Sequence, residues 1–245
     1  TQSFGLMGNY GISQKLNVIF NIPYVTTKAS AGTMHGMRGI QDLSLMLKYR
    51  PINKKINNAR LAVYGIAGGS IPVTNYVADF LPLSIGLKSK TAIARLMVDY
   101  YYNSKWFATA SATYVYRSNI NIDRNSYYTD ELILSNEVAM PNATTFNIRA
   151  GYRTQWWIAE AVLNNWTTQG GFDITRNNMP FPSNRMNATS LGVNLKYVFK
   201  KAPNLALTGG ANNTIAGRNT GQSFTANGGV FYVFNLNKKE KKTGK

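Results

Sequence analysis

The chain has 245 residues, 44% of them hydrophobic, and a formal net charge of +17. It contains no cysteine, which excludes disulfides, thiolate metal sites and cysteine nucleophiles. No stretch approaches the ~18 consecutive apolar residues of a membrane-spanning helix. The positive charge comes without a zinc-finger, helix-turn-helix or KH motif, so we expect no nucleic-acid partner.

Alternation of apolar and polar residues predicts eleven strands. The clearest alternation is in the third strand, where Leu43, Leu45 and Leu47 share one face and Ser44 and Met46 share the other. The predicted strands, most of them near the ~9–11 residues of a tilted bilayer-crossing strand, are Ser3–Tyr10, Lys15–Val25, Ile40–Arg50, Ala59–Gly68, Thr91–Tyr102, Trp106–Tyr116, Thr145–Arg153, Trp156–Trp166, Ser190–Phe199, Asn204–Ile215 and Phe224–Leu236.

The connections between these strands alternate in length along the chain. The short ones are Gly11–Gln14, Pro51–Asn58, Asn103–Lys105, Thr154–Gln155 and Lys200–Pro203. The long ones are Thr27–Met37, Ser70–Leu87, Ser118–Asn142, Thr168–Met186 and Ala216–Ser223. Tight periplasmic turns and longer outside loops are typical of outer-membrane barrels, and aromatic residues near the strand ends fit interfacial girdles. The pattern therefore predicts an all-β, transmembrane antiparallel β-barrel in a bacterial outer membrane.

Eleven strands would leave the two chain ends on opposite sides of the membrane, whereas bacterial barrels usually have an even number. We therefore expect about twelve strands, with one preceding Thr1. The barrel domain is predicted to occupy residues 1–236. Residues 237–245, which include Lys238, Lys239, Lys241 and Lys242, are predicted to form a basic periplasmic tail.

Charged side chains on the polar faces of the strands are the candidate solute-contacting residues of the lumen. They are Lys48, Arg50, Arg60, Arg95, Asp99, Arg149, Arg153, Glu160 and Lys196. Basic rings in a pore favour anions. The alternative is that these charges pair with Asp99 and Glu160 and fill a closed lumen. An eight-stranded barrel is filled by side chains and a sixteen-stranded one is open. A barrel of twelve strands lies between these cases, so both an open and a closed lumen are compatible with the sequence.

Catalytic residues are scarce. His35 is the only histidine, so any Ser–His–Asp site would have to be built around a residue of a predicted loop. Met34, His35 and Met37 are soft donors that could hold a copper(I)-type ion, but three such residues in one loop are also expected by chance. We predict that the protein is not an enzyme and has no metal site and no cofactor.

Three segments resemble a known family: Tyr10-Gly-Ile-Ser-Gln-Lys-Leu, then Asn21-Ile-Pro-Tyr-Val, then Gly39-Ile-Gln-Asp-Leu-Ser-Leu-Met-Leu-Lys-Tyr-Arg. Together, over Gly8–Arg50, they are similar to the outer-membrane transporter barrels grouped with the MetA-pathway phenol-degradation proteins. In that family a strand precedes the equivalent of Tyr10. The resemblance implies a channel or transporter for small, hydrophobic or aromatic compounds and supplies no catalytic residue.

The function expected from the sequence is passive passage of a small solute, anionic or hydrophobic, through the outer membrane. The alternative is a non-conducting structural or accessory subunit of a larger outer-membrane assembly. The expected partners are outer-membrane lipid, lipopolysaccharide, the solute and, for the alternative, other envelope proteins. The abundance of Asn, Lys and Tyr would suit an envelope protein of the Bacteroidota.

Overall fold

The computed structural model describes residues 1–176 and 178–235, so the tail predicted at residues 237–245 lies outside the described part. Every element in it is a strand. The strands are β1 (Gln2–Gly11), β2 (Leu16–Thr26), β3 (Arg38–Ile40), β4 (Asp42–Ile56), β5 (Ala59–Pro72), β6 (Thr91–Tyr102), β7 (Trp106–Arg117), β8 (Ile120–Asn121), β9 (Tyr127–Tyr128), β10 (Leu132–Ile133), β11 (Glu137–Val138), β12 (Ala143–Arg153), β13 (Trp157–Thr168), β14 (Asn187–Phe199), β15 (Ala202–Arg218) and β16 (Phe224–Tyr232).

Eleven long strands form one antiparallel sheet in the order β1-β2-β4-β5-β6-β7-β12-β13-β14-β15-β16, and the short β3 pairs with β2. This confirms the predicted all-β, antiparallel architecture. Because neighbouring strands alternate in direction, β1 and β16 run the same way and could not pair antiparallel with each other. A twelfth strand stays a prediction. Within the described residues, no helix is long and apolar enough to cross a membrane.

The two faces of the sheet differ in chemistry. Opposite one another in register, Tyr49, Gly65, Leu96, Ala112 and Phe146 form a row on one face, which we call the outer face. Large apolar side chains are exposed along this face, such as Leu96 (58%). An apolar surface of this extent needs cover, and a lipid bilayer supplies it.

Polar residues occupy the opposite, inner face. A cavity of about 740 Å³ is lined from Arg95 on β6 to Asn227 on β16, so the sheet curls around this face. On β7 the alternation is complete: Phe107, Thr109, Thr113, Val115 and Arg117 are buried on the inner side, between exposed residues that point outward. The strands thus place most of their charged groups inside, together with buried apolar residues such as Phe107 and Val115, and expose large apolar side chains outside.

Aromatic residues lie in two bands on the outer face. At the end with the short turns, the rings of Trp106 and Tyr152 are 4.9 Å apart and those of Tyr152 and Trp157 are 5.4 Å apart. At the other end, Tyr114 and Tyr116 are exposed. Ten residues separate Trp106 from Tyr116, about 33 Å along the strand and about 25 Å when it is tilted by ~40°. That height matches the apolar band of outer-membrane barrels.

Residue types set the positions of the tight turns. Asn103 and Ser104 both have positive φ angles, as the two central residues of a type I′ turn do, and Asn57 has a φ of 50°. The predicted turn Pro51–Asn58 was too long, since β4 continues to Ile56 after a register shift between Tyr49 and Ile52. Pro51 lies in this bulge, where a residue without an N–H is tolerated.

A cluster of buried apolar residues lies in the long loops. Ala78, from the loop 73–90, packs with Tyr127, Val138 and Met140 from the loop 118–142, and Phe181 of the loop 169–186 joins the cluster. In the loop 118–142, β8 pairs with β11 and β9 with β10. We call these three loops the cap. Its own hydrophobic core makes it a folded unit.

Polar contacts reinforce the cap. Arg124 and Asp79 join two of its loops with an ion pair of 2.6 Å, and the Tyr127 and Phe181 rings stack at 5.2 Å. Thr27, in the loop between β2 and β3, donates a hydrogen bond to the Leu83 carbonyl oxygen at 2.5 Å. The long loops are therefore tied together above one end of the sheet.

Candidate functional site: the inner face of the sheet

The cavity on the inner face is lined mainly by amides, hydroxyls and guanidinium groups. Arg95 and Arg149 enter it from β6 and β12, and Asn164, Asn194 and Asn212 enter it from β13 to β15. A second hollow, of about 500 Å³, lies beside it toward the short turns. Arg149, Arg153, Glu160, Asn194 and Lys196 are among the residues that border this second hollow.

Cations outnumber carboxylates on the inner face of the described strands. The register places Lys48, Lys55, Arg60, Arg95, Arg117, Arg149, Arg153 and Lys196 there, against Asp42, Asp99 and Glu160. Asp42 accepts a hydrogen bond from the Tyr76 hydroxyl at 2.7 Å, which leaves Asp99 and Glu160 as the carboxylates nearer the middle of the strands. The face therefore carries a net positive charge.

Asp99 and Arg149 lie at the same level of the sheet. Both are opposite Thr109, on its two sides, so they are two strands, or about 10 Å, apart. Lys48 is within Coulombic range of Asp99, and also of Arg95 and Arg149. The Asp99 carboxylate thus sits among several cations, while its Oδ1 is buried without a hydrogen-bond partner in the described residues.

Glu160 has defined neighbours. Its Oε1 accepts a hydrogen bond from Asn194 Nδ2 at 3.0 Å and lies 3.8 Å from Arg149 Nη1. The longer contact is a loose ion pair, and Arg149 Nε has no hydrogen-bond partner within the described residues. An entering anion could compete with Glu160 for this guanidinium.

Aromatic rings hold two other cations in place. The Arg153 guanidinium lies over the rings of Tyr101 and Phe107, at 5.4 and 5.3 Å from their centres. Lys196 Nζ lies 3.6 Å from the centre of the Phe231 ring. Such cation–π contacts fix a charged group without neutralising it. Arg153 and Lys196 therefore remain positively charged groups on the inner face.

Three of the remaining predicted lumen residues form hydrogen bonds with nearby groups of the chain. Arg95 Nε donates a hydrogen bond to Thr113 Oγ1 at 2.7 Å, and Arg60 Nε donates one to Asn53 Oδ1 at 2.6 Å. Arg50 Nη2 donates to the Gln14 carbonyl oxygen at 2.7 Å, at the turn between β1 and β2. Arg95 lines the main cavity, whereas Arg60 lines a small separate hollow near the short turns.

Arg117 and Trp166 were not among the predicted site residues. The predicted sixth strand ended at Tyr116, and Arg117 then fell into no element. Strand β7 includes it, and its parity with Thr113 and Val115 puts it on the inner face. The alternation of inward and outward side chains along the strand is the sequence signal that could have identified Arg117 as an inner-face residue. Trp166 faces inward opposite Thr145 and lines the main cavity.

The single histidine lies exposed in the loop between β2 and β3. Within residues 1–176 and 178–235, no three His, Asp or Glu side chains converge as metal ligands. A further apolar depression of about 780 Å³ is lined by outer-face residues such as Leu47, Ala94 and Phe146, on the side that the apolar surface assigns to lipid.

Comparison with known proteins identifies the family. None of the curated proteins matches the chain. Among solved structures, the chain is similar to OccK8 (OprE) of Pseudomonas aeruginosa, with 10% sequence identity and a TM-score of 0.43. The match covers 91% of this chain and 54% of OccK8, so the chain spans little more than half of that protein's length. The model of the family described as "Putative MetA-pathway of phenol degradation" matches residues 6–228. The chain therefore belongs to this family, as its first three strands predicted.

Proposed function

We propose that the chain forms the wall of an outer-membrane channel that lets small solutes pass and prefers anions. The observation that carries the proposal is the positive charge of the inner face, where cations outnumber carboxylates around a cavity of about 740 Å³. The outer face, in contrast, is apolar. A ring of basic side chains lowers the barrier for an anion and raises it for a cation. Passage needs no cofactor, because only diffusion along the cavity is involved.

The orphaned donors on the inner face support this function. Arg149 Nε and Arg153 Nε are buried without partners within the described part of the chain. A lumen that evolved only to be filled would be expected to satisfy such groups internally. Arg149 lines the main cavity and the second hollow, so its guanidinium can replace part of the hydration shell of a passing anion.

The test is the ion selectivity of the full chain in a planar lipid bilayer, read from reversal potentials in a potassium chloride gradient. Arg149→Glu changes the charge of the inner face by two units, and we expect the preference for chloride over potassium to fall several-fold. The matched control is Lys54→Glu, which makes the same charge change on the exposed outer face. An unchanged reversal potential in Arg149→Glu, in a folded and inserted protein, would contradict the proposed anion path.

One observation favours the second candidate, a non-conducting subunit of a larger envelope assembly. At the loop end the inner face is covered: Val115, Arg117 and Ala143 are all buried. If the cap never opens, no solute enters. Bilayer recordings that stay silent for an inserted protein, together with a stable protein complex after mild detergent extraction, would support this candidate against the channel.

A further inference from the structure

Arg117 carries a charge that is buried under the cap. The residue is 6% exposed. Its Nε donates a hydrogen bond to the Pro141 carbonyl oxygen at 2.6 Å, and its backbone N–H donates one to Asn142 Oδ1 at 2.9 Å. Its guanidinium carbon lies 5.9 Å from the centre of the Trp166 ring. The side chain is thus held between the end of the loop 118–142 and a tryptophan of β13.

The positive charge of Arg117 has no counter-ion in the described part of the chain. The ion pairs found there are Arg124–Asp79, Arg149–Glu160 and Arg218–Asp173. In addition, Arg117 Nη2 is buried with no hydrogen-bond partner among residues 1–176 and 178–235. A buried guanidinium with neither a counter-charge nor a full set of acceptors is strongly unfavourable. An anion from outside the chain would supply both.

The position of Arg117 lies on the route between the cap and the main cavity. It stands at the loop end of β7, level with Thr91 and Ser70 on the neighbouring strands. Trp166, which contacts its guanidinium, lines the main cavity together with Arg95 and Arg149. Thr113, which binds Arg95, precedes Arg117 by four residues on the same strand. Arg117 is therefore the first inner-face cation below the cap.

We propose that Arg117 and Trp166 form a binding site for a small monocarboxylate at the loop end of the inner face. This inference deepens the proposed function and rests on it for its biological role. The Nη groups of Arg117 bind the carboxylate oxygens, while Trp166 keeps the guanidinium in place and shields it from water. One guanidinium balances one negative charge, so a monocarboxylate fits better than doubly charged phosphate. The ligand reaches the site from the main cavity, which Trp166 lines.

Binding is measured on the full chain in lipid nanodiscs, by the broadening of the proton NMR signals of sodium butyrate. We expect saturable binding that Arg117→Gln weakens at least tenfold. The matched control is Arg124→Gln, which removes the same charge from an arginine of the cap that already has a carboxylate partner. This control is expected to leave butyrate binding unchanged. Inorganic phosphate is expected to displace butyrate only at much higher concentration.

Three results would overturn the site: no saturable butyrate binding to the unaltered protein, equal binding by folded Arg117→Gln, or tighter binding of phosphate than of butyrate. Folding is checked by resistance of the loop 118–142 to trypsin. If Arg117→Gln fails this check, Arg117→Lys is used instead, because it keeps the charge but lacks the Nη groups. We expect Arg117→Lys to bind butyrate several-fold more weakly, and undiminished binding would overturn the site. Because the readout needs no current, butyrate binding by a silent protein would refute the channel and not the site.

Discussion

The cap and the inner face of the sheet differ in chemistry: the side chains of the cap core are apolar, whereas those that line the main cavity of the inner face are mainly polar. The cap has an apolar core in which Val138 is 0% exposed, and Arg124 and Asp79 in it form an ion pair. The inner face is polar, and several of its donors, such as Arg149 Nε, have no partner in the described residues. The largest cluster of buried apolar side chains in the described residues lies in the loops, whereas the strands enclose a mainly polar cavity.

The difference shows how stability and function are divided. Strands of a membrane sheet are held by their hydrogen-bond ladders and by lipid on the outer face, so their inner face is free to stay polar. Long loops have no such support and must bury their own apolar side chains to keep one structure. Changes in the cap should therefore affect stability, and changes on the inner face should affect solutes.

The largest expected effect comes from placing a carboxylate in the cap core. Val138→Asp should destabilise the cap by about 3–5 kcal/mol, because an unpaired charge would be buried among apolar side chains. The measurement is hydrogen exchange of the loops 73–90 and 118–142. The matched variant is Ser111→Asp, which makes a similar change in a half-buried residue lining the main cavity. Equal destabilisation by both variants would refute the division between cap and inner face.

The next largest effect is expected at Tyr76, which links the cap to β4. Its hydroxyl donates to Asp42 Oδ1 at 2.7 Å and accepts from the Lys88 N–H at 2.9 Å. Tyr76→Phe would leave both partners unsatisfied, and we expect a loss of about 1.5–3 kcal/mol, as for a hydrogen bond to a charged group. Denaturant unfolding followed by fluorescence would detect it. A loss below about 0.5 kcal/mol would show that water replaces the hydroxyl.

Tyr76 also predicts a response to alkaline pH. Burial, and then the hydrogen bond to Asp42, raise the pKa of Tyr76 above its ordinary value of 10.0. Because the unfolded chain loses this proton first, the contribution of Tyr76 is complete below pH 10 and declines as the pH rises further. Denaturant unfolding followed by circular dichroism, compared between pH 9 and pH 11, should show a larger loss of stability in the unaltered protein than in Tyr76→Phe. Equal losses would mean that another group controls the response.

The smallest effect is expected for the ion pair on the cap surface. Arg124 is 53% exposed while Asp79 is 10% exposed, so solvent screens much of their attraction. Arg124→Ala should cost only about 0.2–1 kcal/mol. Butyrate binding and conductance should not change. A loss comparable to that of Val138→Asp would show that charge pairing, and not apolar packing, holds the loops together.

Much of the fold could be predicted because each strand encodes its two faces locally. Lys48, Arg95 and Arg149 alternate with apolar neighbours, so a period of two assigned them to one face before any pairing was known. The limits of β4 were harder to predict. Pro51 resembles a strand end in sequence, yet a bulge accommodates it and the strand continues to Ile56.

The sequence by itself determined the all-β class, the order of strands and the facing of their side chains, because alternation and turn residues act over a few positions. Only the tertiary structure decided which loops pack together and which charges lack partners. Val138 and Ala78 are sixty residues apart in the chain and meet in the cap. Arg117, which has no counter-ion among the described residues, is buried because Pro141, Asn142 and Trp166 surround it. Such contacts depend on the path of distant segments, which no local pattern specifies.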